Sequence, residues 1–141
     1  MDYILSEERE MIPWQRVCEL LEKVGWGVRA HDLVRDSFEK SKYAVFVWHG
    51  DKLVGFGRGM DDGHYYAMLV DIVIDPEHQA KGLGKKITTL LKDRLLNDKF
   101  IFITLTAAVG KNDFYRKLGW RQQKSAYIWP KDTKQADAHA F

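Results

Sequence analysis

The chain has 141 residues, of which 45% are hydrophobic and 30% charged, and its formal net charge is +2. This length allows one domain and leaves no room for a second, and the nearly balanced charge argues against nucleic acid as the principal partner. With a single cysteine, Cys18, and no apolar stretch long enough to span a membrane, we expect a cytoplasmic protein without an intramolecular disulfide.

The first half of the chain contains one short strand, two amphipathic helices and three longer strands. Apolar residues at helical spacing predict the helices, and runs of β-branched and aromatic residues between Gly- and Asp-rich turns predict the strands. The predicted elements are a strand at 3–5, helices at 13–23 and 31–40, and strands at 43–48, 53–59 and 66–74.

The second half of the chain alternates between helices and strands. The predicted elements are a helix at 83–96, a strand at 100–106, a short helix at 112–118, and late strands at 120–122 and 126–129. A strand, a helix and a further strand in this order require a crossover connection, which makes the two strands parallel. We therefore expect a single mixed α/β domain over residues 1–130 and a polar tail, 131–141, that frays.

The most informative motif, Gln79-Ala80-Lys81-Gly82-Leu83-Gly84, joins the strand at 66–74 to the helix at 83–96. Glycines let a ligand approach the backbone, and the first amides of a helix lack intrahelical partners, so the turn suits a diphosphate. The spacing differs from both the Walker A and the Gly-x-Gly-x-x-Gly patterns. The alternative interpretation is that the glycines only let the strand and the helix pack closely.

Two segments carry a resemblance to a known family. VIDPEHQAKGLG, from Val73 to Gly84, resembles the acyl-CoA signature of the GNAT N-acetyltransferase superfamily, Arg/Gln-x-x-Gly-x-Gly/Ala. FYRKLGW, from Phe114 to Trp120, is similar to the Phe-Tyr-x-x-x-Gly-Phe segment that follows it in that family. The middle of the chain also resembles the serotonin-acetyltransferase-like, small-amine branch. The resemblance implies a mixed, splayed sheet of six to seven strands flanked by about four helices.

The resemblance implies acetyl-CoA as co-substrate. In the family, the pantetheine arm enters the sheet where the fourth and fifth strands stop pairing, and a Gly-rich turn holds the diphosphate. Ala108 stands where many relatives carry an asparagine that contacts the cofactor, and Asn112 could replace it, although helix capping explains Asn112 equally well. The implied cofactor-binding residues are Ile72, Val73, Ile74, Gln79, Ala80, Lys81, Gly82, Leu83, Gly84, Lys85, Asn112 and Tyr115.

The resemblance also implies catalytic residues. Tyr115 matches the tyrosine that gives a proton to the departing thiolate in several relatives, and a phenol stays protonated at neutral pH. Its alternative role is that of a core aromatic residue. Met68 stands where histone-type relatives carry a glutamate base, so we name Asp71, the nearest carboxylate on the same strand, as the catalytic candidate for that role, with His64 as a further candidate.

The implied acceptor site lies near Trp26 and the turn that contains Asp61, Asp62 and His64. Acidic groups beside an aromatic ring suit a protonated amine. The alternative is that Trp26 is a core residue and the aspartates only shape a turn. The histidines and carboxylates lack the spacing of a zinc site, so we predict no metal.

These observations predict an acetyl-CoA-dependent N-acetyltransferase that acts on a small-molecule primary amine. Because the chain offers no activated Cys or Ser, we expect direct attack in a ternary complex without an acyl-enzyme. The alternatives are an enzyme that acetylates a protein or peptide amine, a non-catalytic acyl-CoA sensor, and a nucleotide-binding protein. No membrane partner is expected, and a homodimer is possible by analogy with similar proteins.

Overall fold

The computed structural model describes residues 2–141. The strands are β1 (Tyr3–Ser6), β2 (Tyr43–His49), β3 (Lys52–Asp61), β4 (Tyr66–Ile74) and β5 (Phe102–Leu105). The α-helices are α1 (Trp14–Lys23), α2 (His31–Glu39), α3 (Leu83–Asn97), α4 (Asn112–Lys117) and α5 (Thr133–His139). The chain forms two compact units, the first ending at Leu105 and the second comprising Thr106–Phe141.

All the strands of the described residues lie in one mixed sheet with the order β1-β2-β3-β4-β5. Neighbouring strands from β1 to β4 are antiparallel, and β4 pairs with β5 in parallel, as the crossover through α3 requires. The five described strands correct the prediction of six to seven. The segments 120–122 and 126–129 are not strands, and Tyr127 and Trp129 are each 95% exposed. β-branched and aromatic composition indicates a strand only where a pairing partner is present.

Residues 2–141 contain five α-helices instead of about four. The additional one, α5, lies in the polar tail that we expected to fray. Asp132 caps its start, because its side chain accepts a hydrogen bond from the Gln135 amide at 2.8 Å. Such a cap satisfies one of the free amides of a first turn, and this local contact explains the helix in a segment without an apolar stripe.

The main core of the first unit lies where α1 and α2 pack on the sheet. Val17 and Leu21 of α1 are fully buried. The Phe38 ring of α2 lies 5.5 Å from the ring of Phe46 and 5.7 Å from that of Phe56. Burial raises the pKa of Cys18 in this core, so its thiol is a packing group and not an activated nucleophile.

Helix α3 packs directly against β3. A Cβ atom added at Gly57 would lie 2.6 Å from Cγ2 of Ile87, which is closer than two non-bonded carbon atoms approach each other in proteins. Glycine at position 57 therefore lets the helix come close to the strand. Ile87, Leu91 and Leu95 are fully buried along the same face of α3. This contact fixes the position of the helix, and with it the turn that precedes Leu83.

The pairing between β4 and β5 ends before β4 does. The last parallel pair joins Leu69 to Leu105, whereas β4 continues to Ile74. A bulge lies in this continuation, because Arg58 of β3 faces Val70 while Phe56 faces Val73. From residue 70 onward, β4 is paired with β3 alone within the described chain, which agrees with the splayed sheet that the resemblance implies.

Candidate functional site

The segment after β4 turns sharply before α3 begins. Asp75 follows the strand, Pro76–His78 forms one 3-10 turn, and Gly82 is the N-cap of α3. Gly82 has φ +78° and Ala80 has φ +61°, both in the left-handed region that glycine adopts without strain. No side chain caps α3 within the described residues, so its first amides keep no protein partner.

A run of main-chain amides in this turn can bind a ligand. Within residues 2–141, no protein group accepts a hydrogen bond from the amides of Gln79, Ala80, Lys81, Gly82, Leu83, Gly84 and Lys85. A Cβ atom built at Gly82 would have no protein atom within 4 Å. Lys81, Lys85 and Lys86 are exposed in the same segment. Free amides at a helix N-terminus, with ammonium groups beside them, form a site for a diphosphate-like anion.

The open edge of β4 lies next to this turn. The Asp75 amide donates a hydrogen bond to the Val54 carbonyl at 2.8 Å, so it points toward β3. Because backbone groups alternate along a strand, those of Val73 also point toward β3, while those of Ile72 and Ile74 point toward the open edge. The Gln79 side chain donates a hydrogen bond from Nε2 to the Ile74 carbonyl at 3.2 Å. Two of the three predicted strand residues therefore direct amides to the edge where pairing with β5 has ended.

A buried carboxylate that we did not identify from the sequence fixes this turn. Asp75 is fully buried, and its Oδ2 accepts a hydrogen bond from Arg16 at 2.6 Å. Its Oδ1 accepts hydrogen bonds from Lys23 Nζ at 2.8 Å and from the Glu77 amide at 3.1 Å. The carboxylate thus ties α1 to the end of β4. An aspartate directly before a proline at a strand end is a turn signal and could have identified it.

The environment of Asp75 determines its charge. Burial alone would raise the pKa of this carboxyl group, but the hydrogen bonds from Lys23, Glu77 and Arg16 outweigh it and hold the pKa at about 2. Asp75 is therefore ionised at neutral pH. Asp75, Glu77 and His78 also place possible metal-ligand atoms within 4.8 Å of one another. Because Lys23 Nζ contacts both carboxylates, a divalent cation would meet an ammonium group there, and we keep the prediction of no metal.

Asp71, the candidate base, lies in the bulge of β4. Its φ is +53°, which is a strained conformation for a residue other than glycine. Its Oδ2 accepts a hydrogen bond from Arg58 Nε at 2.8 Å, and its Oδ1 contacts Arg29 at 3.3 Å. Two guanidinium groups thus face one carboxylate.

A cavity of about 300 Å³ lies beside Asp71. It is formed by the loop between α1 and α2, one face of α2, and strands β3 and β4. Its lining consists of Val28, Arg29, Ala30, Leu33, Val34, Ser37, Phe38, Arg58 and Asp71. Apolar walls with a few converging polar groups are typical of a site for a small organic molecule. The sequence does not identify either arginine, because nothing local in the chain indicates that they meet Asp71.

The residues predicted to bind the acceptor do not line this cavity. Trp26 packs partly buried against the core of α1 and α2. Asp61 accepts a hydrogen bond from the Gly63 amide, and Asp62 accepts three, including one from the amide of His64. Both aspartates therefore shape the turn between β3 and β4, at the opposite end of β4 from the Gly-rich turn. These contacts support the structural interpretation of Trp26, Asp61 and Asp62.

In the second unit, Tyr115 lies on α4 and is half-buried. Its ring packs edge-on to Phe114 at 5.0 Å and to Trp120 at 6.5 Å. Burial raises the pKa of Tyr115, which keeps the phenol protonated and able to donate. Asn112 is the first residue of α4, and the N-cap is Lys111. Helix capping therefore does not account for Asn112.

Known proteins that are similar to this chain identify its family. A family model described as an acetyltransferase (GNAT) domain matches residues 22–128. The chain belongs to the GNAT acetyltransferase family. The crystal structure of SA2161, a protein of unknown function from meticillin-resistant Staphylococcus aureus, shares the GNAT fold of this chain with a TM-score of 0.81. That match has 18% identity and covers 93% of this chain and 100% of the other.

Relatives with higher identity are longer than this chain. An uncharacterized, ycf52-like N-acetyltransferase of Prochlorococcus marinus is 36% identical over 107 residues, which cover 72% of this chain and 59% of the relative. The chloroplastic serotonin N-acetyltransferase 2 of Oryza sativa is 30% identical over 115 residues, covering 77% and 56% respectively. The chain thus spans less than two thirds of these relatives. The predicted GNAT membership is confirmed, and support for the serotonin-like branch is weak. No helix among residues 2–141 is both long enough and apolar enough to cross a membrane.

Proposed function

We propose that this GNAT domain transfers an acetyl group from acetyl-CoA to a small-molecule primary amine by direct attack in a ternary complex. The observation that carries the proposal is the run of seven main-chain amides without protein partners from Gln79 to Lys85. A helix N-terminus with free amides and three neighbouring lysines matches a diphosphate in charge and in donor number. The amides of Ile72 and Ile74 offer further donors along the open edge of β4.

The chain's own residues then have separate roles. Acetyl-CoA supplies an activated thioester, whose carbonyl carbon forms a bond to the amine nitrogen as the bond to sulfur breaks. Tyr115, protonated at neutral pH, gives its proton to the leaving sulfur. Asp71 retains acceptor capacity beside the cavity and holds the incoming ammonium group. One proton of this ammonium group leaves to the carboxylate, or to a water molecule that the carboxylate holds, before the amine nitrogen attacks. A second proton leaves the nitrogen to water after the attack, and Tyr115 regains its own proton from water.

The cavity supports a small-molecule acceptor over a protein. Its volume of about 300 Å³ and its apolar walls suit a compact organic amine. A non-catalytic acyl-CoA sensor is the second candidate, and two observations favour it. Met68 replaces the carboxylate of histone-type relatives, and both oxygens of Asp71 already contact arginines.

The cellular location, the partners and the oligomeric state of this protein are predictions. We retain a cytoplasmic location, although the rice relative is named chloroplastic. We also retain the absence of nucleic-acid and membrane partners and the possibility of a homodimer. Sedimentation of the purified chain at several concentrations measures the last of these directly.

Calorimetry with acetyl-CoA tests the proposed Gly-rich site. Gly82 and Gly63 both have positive φ, and a Cβ at either meets no atom within 4 Å, so replacement by alanine strains both equally. We expect Gly82→Ala to weaken acetyl-CoA binding by roughly tenfold or more, because the turn amides move, while Gly63→Ala leaves the affinity unchanged. Equal effects of the two changes, or no binding heat from the unmodified chain, would contradict the proposed site. Thiol release over a panel of amines separates the enzyme from the sensor, which binds without turnover.

A further inference from the structure

The cavity beside Asp71 carries more positive than negative charge. Its titratable lining groups are one carboxylate, Asp71, and two guanidinium groups, Arg29 and Arg58. One carboxylate balances one guanidinium group, so a single positive charge remains in a concave surface. Such a surplus is costly to desolvate unless an anion accompanies it.

The two arginines differ in how many of their hydrogen-bond donors are used by other groups of the protein. Arg58 is 13% exposed, donates from Nε to Asp71 and from NH1 to Ser41 Oγ, and lies over the Phe38 ring. Arg29 is 40% exposed, and within residues 2–141 its contact to Asp71 is one 3.3 Å bond from NH1. Arg58 is therefore a fixed part of the wall. Arg29 keeps most of its donors for a ligand.

Exposed apolar side chains line the same cavity as Arg29. Val28 is 83% exposed and Leu33 is 66% exposed, and both line the cavity. Exposed apolar groups at the rim of a cavity favour an organic molecule over an inorganic ion. The cavity therefore combines an apolar surface, an acceptor for an ammonium group at Asp71 and a donor for an anion at Arg29.

We propose that Arg29 selects acceptors that carry an anionic group, such as a carboxylate, in addition to the amine. This inference rests on the proposed function, because it assigns the substrate class of the same site. The ammonium group of the acceptor pairs with Asp71, and its carboxylate accepts hydrogen bonds from the guanidinium fork of Arg29. The acceptor is thus an amino acid or a similar zwitterionic amine.

Matched pairs of amines test the proposal. L-phenylalanine is compared with 2-phenylethylamine, and 5-aminopentanoate with pentylamine, by kcat/KM for thiol release from acetyl-CoA. We expect the amine that bears an acid to be preferred over its partner without one, and Arg29→Gln to lower the ratio of the two kcat/KM values by about tenfold. Arg35→Gln is the matched control, because Arg35 pairs with Glu39 and does not line the cavity.

Measuring how tightly the amines bind distinguishes a failure of this inference from a failure of the proposed function. Calorimetry with the same amines in the presence of CoA measures recognition without turnover. Arg29-dependent binding of the acid-bearing amines without thiol release would support the anion site and reject the enzyme. Turnover without preference for acid-bearing amines, or equal losses on both members of a pair in Arg29→Gln, would overturn the anion site and retain the enzyme.

Discussion

Tyr115 carries the clearest catalytic prediction at the scale of a single residue. Tyr115→Phe removes the proposed proton donor and keeps the ring that packs on Phe114 and Trp120. General acid catalysis contributes about 100-fold or more, so we expect kcat to fall by about that factor, with a much smaller change in the Kd for acetyl-CoA. Tyr127→Phe is the control, because Tyr127 is 95% exposed. A Tyr115→Phe variant with normal kcat would assign Tyr115 to packing alone.

The sequence reveals residues of the site whose role depends on local spacing. Gly82 and Tyr115 were identified because each stands in a short motif. Asp75, Arg29 and Arg58 were not, because their ion pairs join distant parts of the chain. Lys23 and Asp75, for example, are 52 positions apart. Which carboxylate meets which cation is decided by how α1, the loop after it and the strands pack together, and no local sequence pattern indicates it.

The close approach of α3 and β3 can be tested by a single substitution at Gly57. Gly57→Ala places a Cβ 2.6 Å from Ile87 Cγ2, so either α3 or β3 must move. We expect a loss of about 1–3 kcal/mol in the free energy of unfolding, measured by urea denaturation, together with weaker acetyl-CoA binding. Gly59→Ala is the control, since its Cβ meets its nearest atom at 3.4 Å. Equal stability of the two variants would show that α3 adjusts freely.

The elements differ in how well their sequences predict them. Helices α1, α2, α3 and α4 fall within one or two residues of their predicted bounds, because a helix is specified by periodicity inside the segment itself. The strands predicted at 120–122 and 126–129 are absent from the described structure, because a strand needs a partner elsewhere in the chain. The bulge at Asp71 was also missed, since the apolar run from Tyr66 to Ile74 contains no glycine to mark it.

Asp75 joins α1 to the end of β4, so its ionisation affects the stability of the whole fold. Its pKa is about 2 in the fold against an ordinary value of 3.8. A carboxyl group with a lowered pKa stabilises the fold fully above its unfolded pKa, and the contribution is lost as the pH falls through the folded pKa. We therefore expect about 2 kcal/mol of stability to disappear between about pH 4 and pH 2.

Substitution isolates this contribution from that of other carboxylates. Asp75→Asn should lower the free energy of unfolding by about 3 kcal/mol at pH 7, because Arg16 and Lys23 lose their partner, and should flatten the profile below pH 4. Asp113→Asn is the control, since Asp113 pairs with Arg116 at the surface and is 84% exposed. A variant at position 75 with an unchanged acid profile would show that Asp75 does not anchor the turn.

The open edge of β4 has a consequence for how this protein tolerates mutation. The groups of Ile72 and Ile74 that face this edge belong to the peptide backbone, and every residue except proline supplies them. Replacing either side chain with alanine therefore leaves the recognition surface in place, and an alanine scan would overlook it. Only proline, which lacks an amide hydrogen, would delete a donor there.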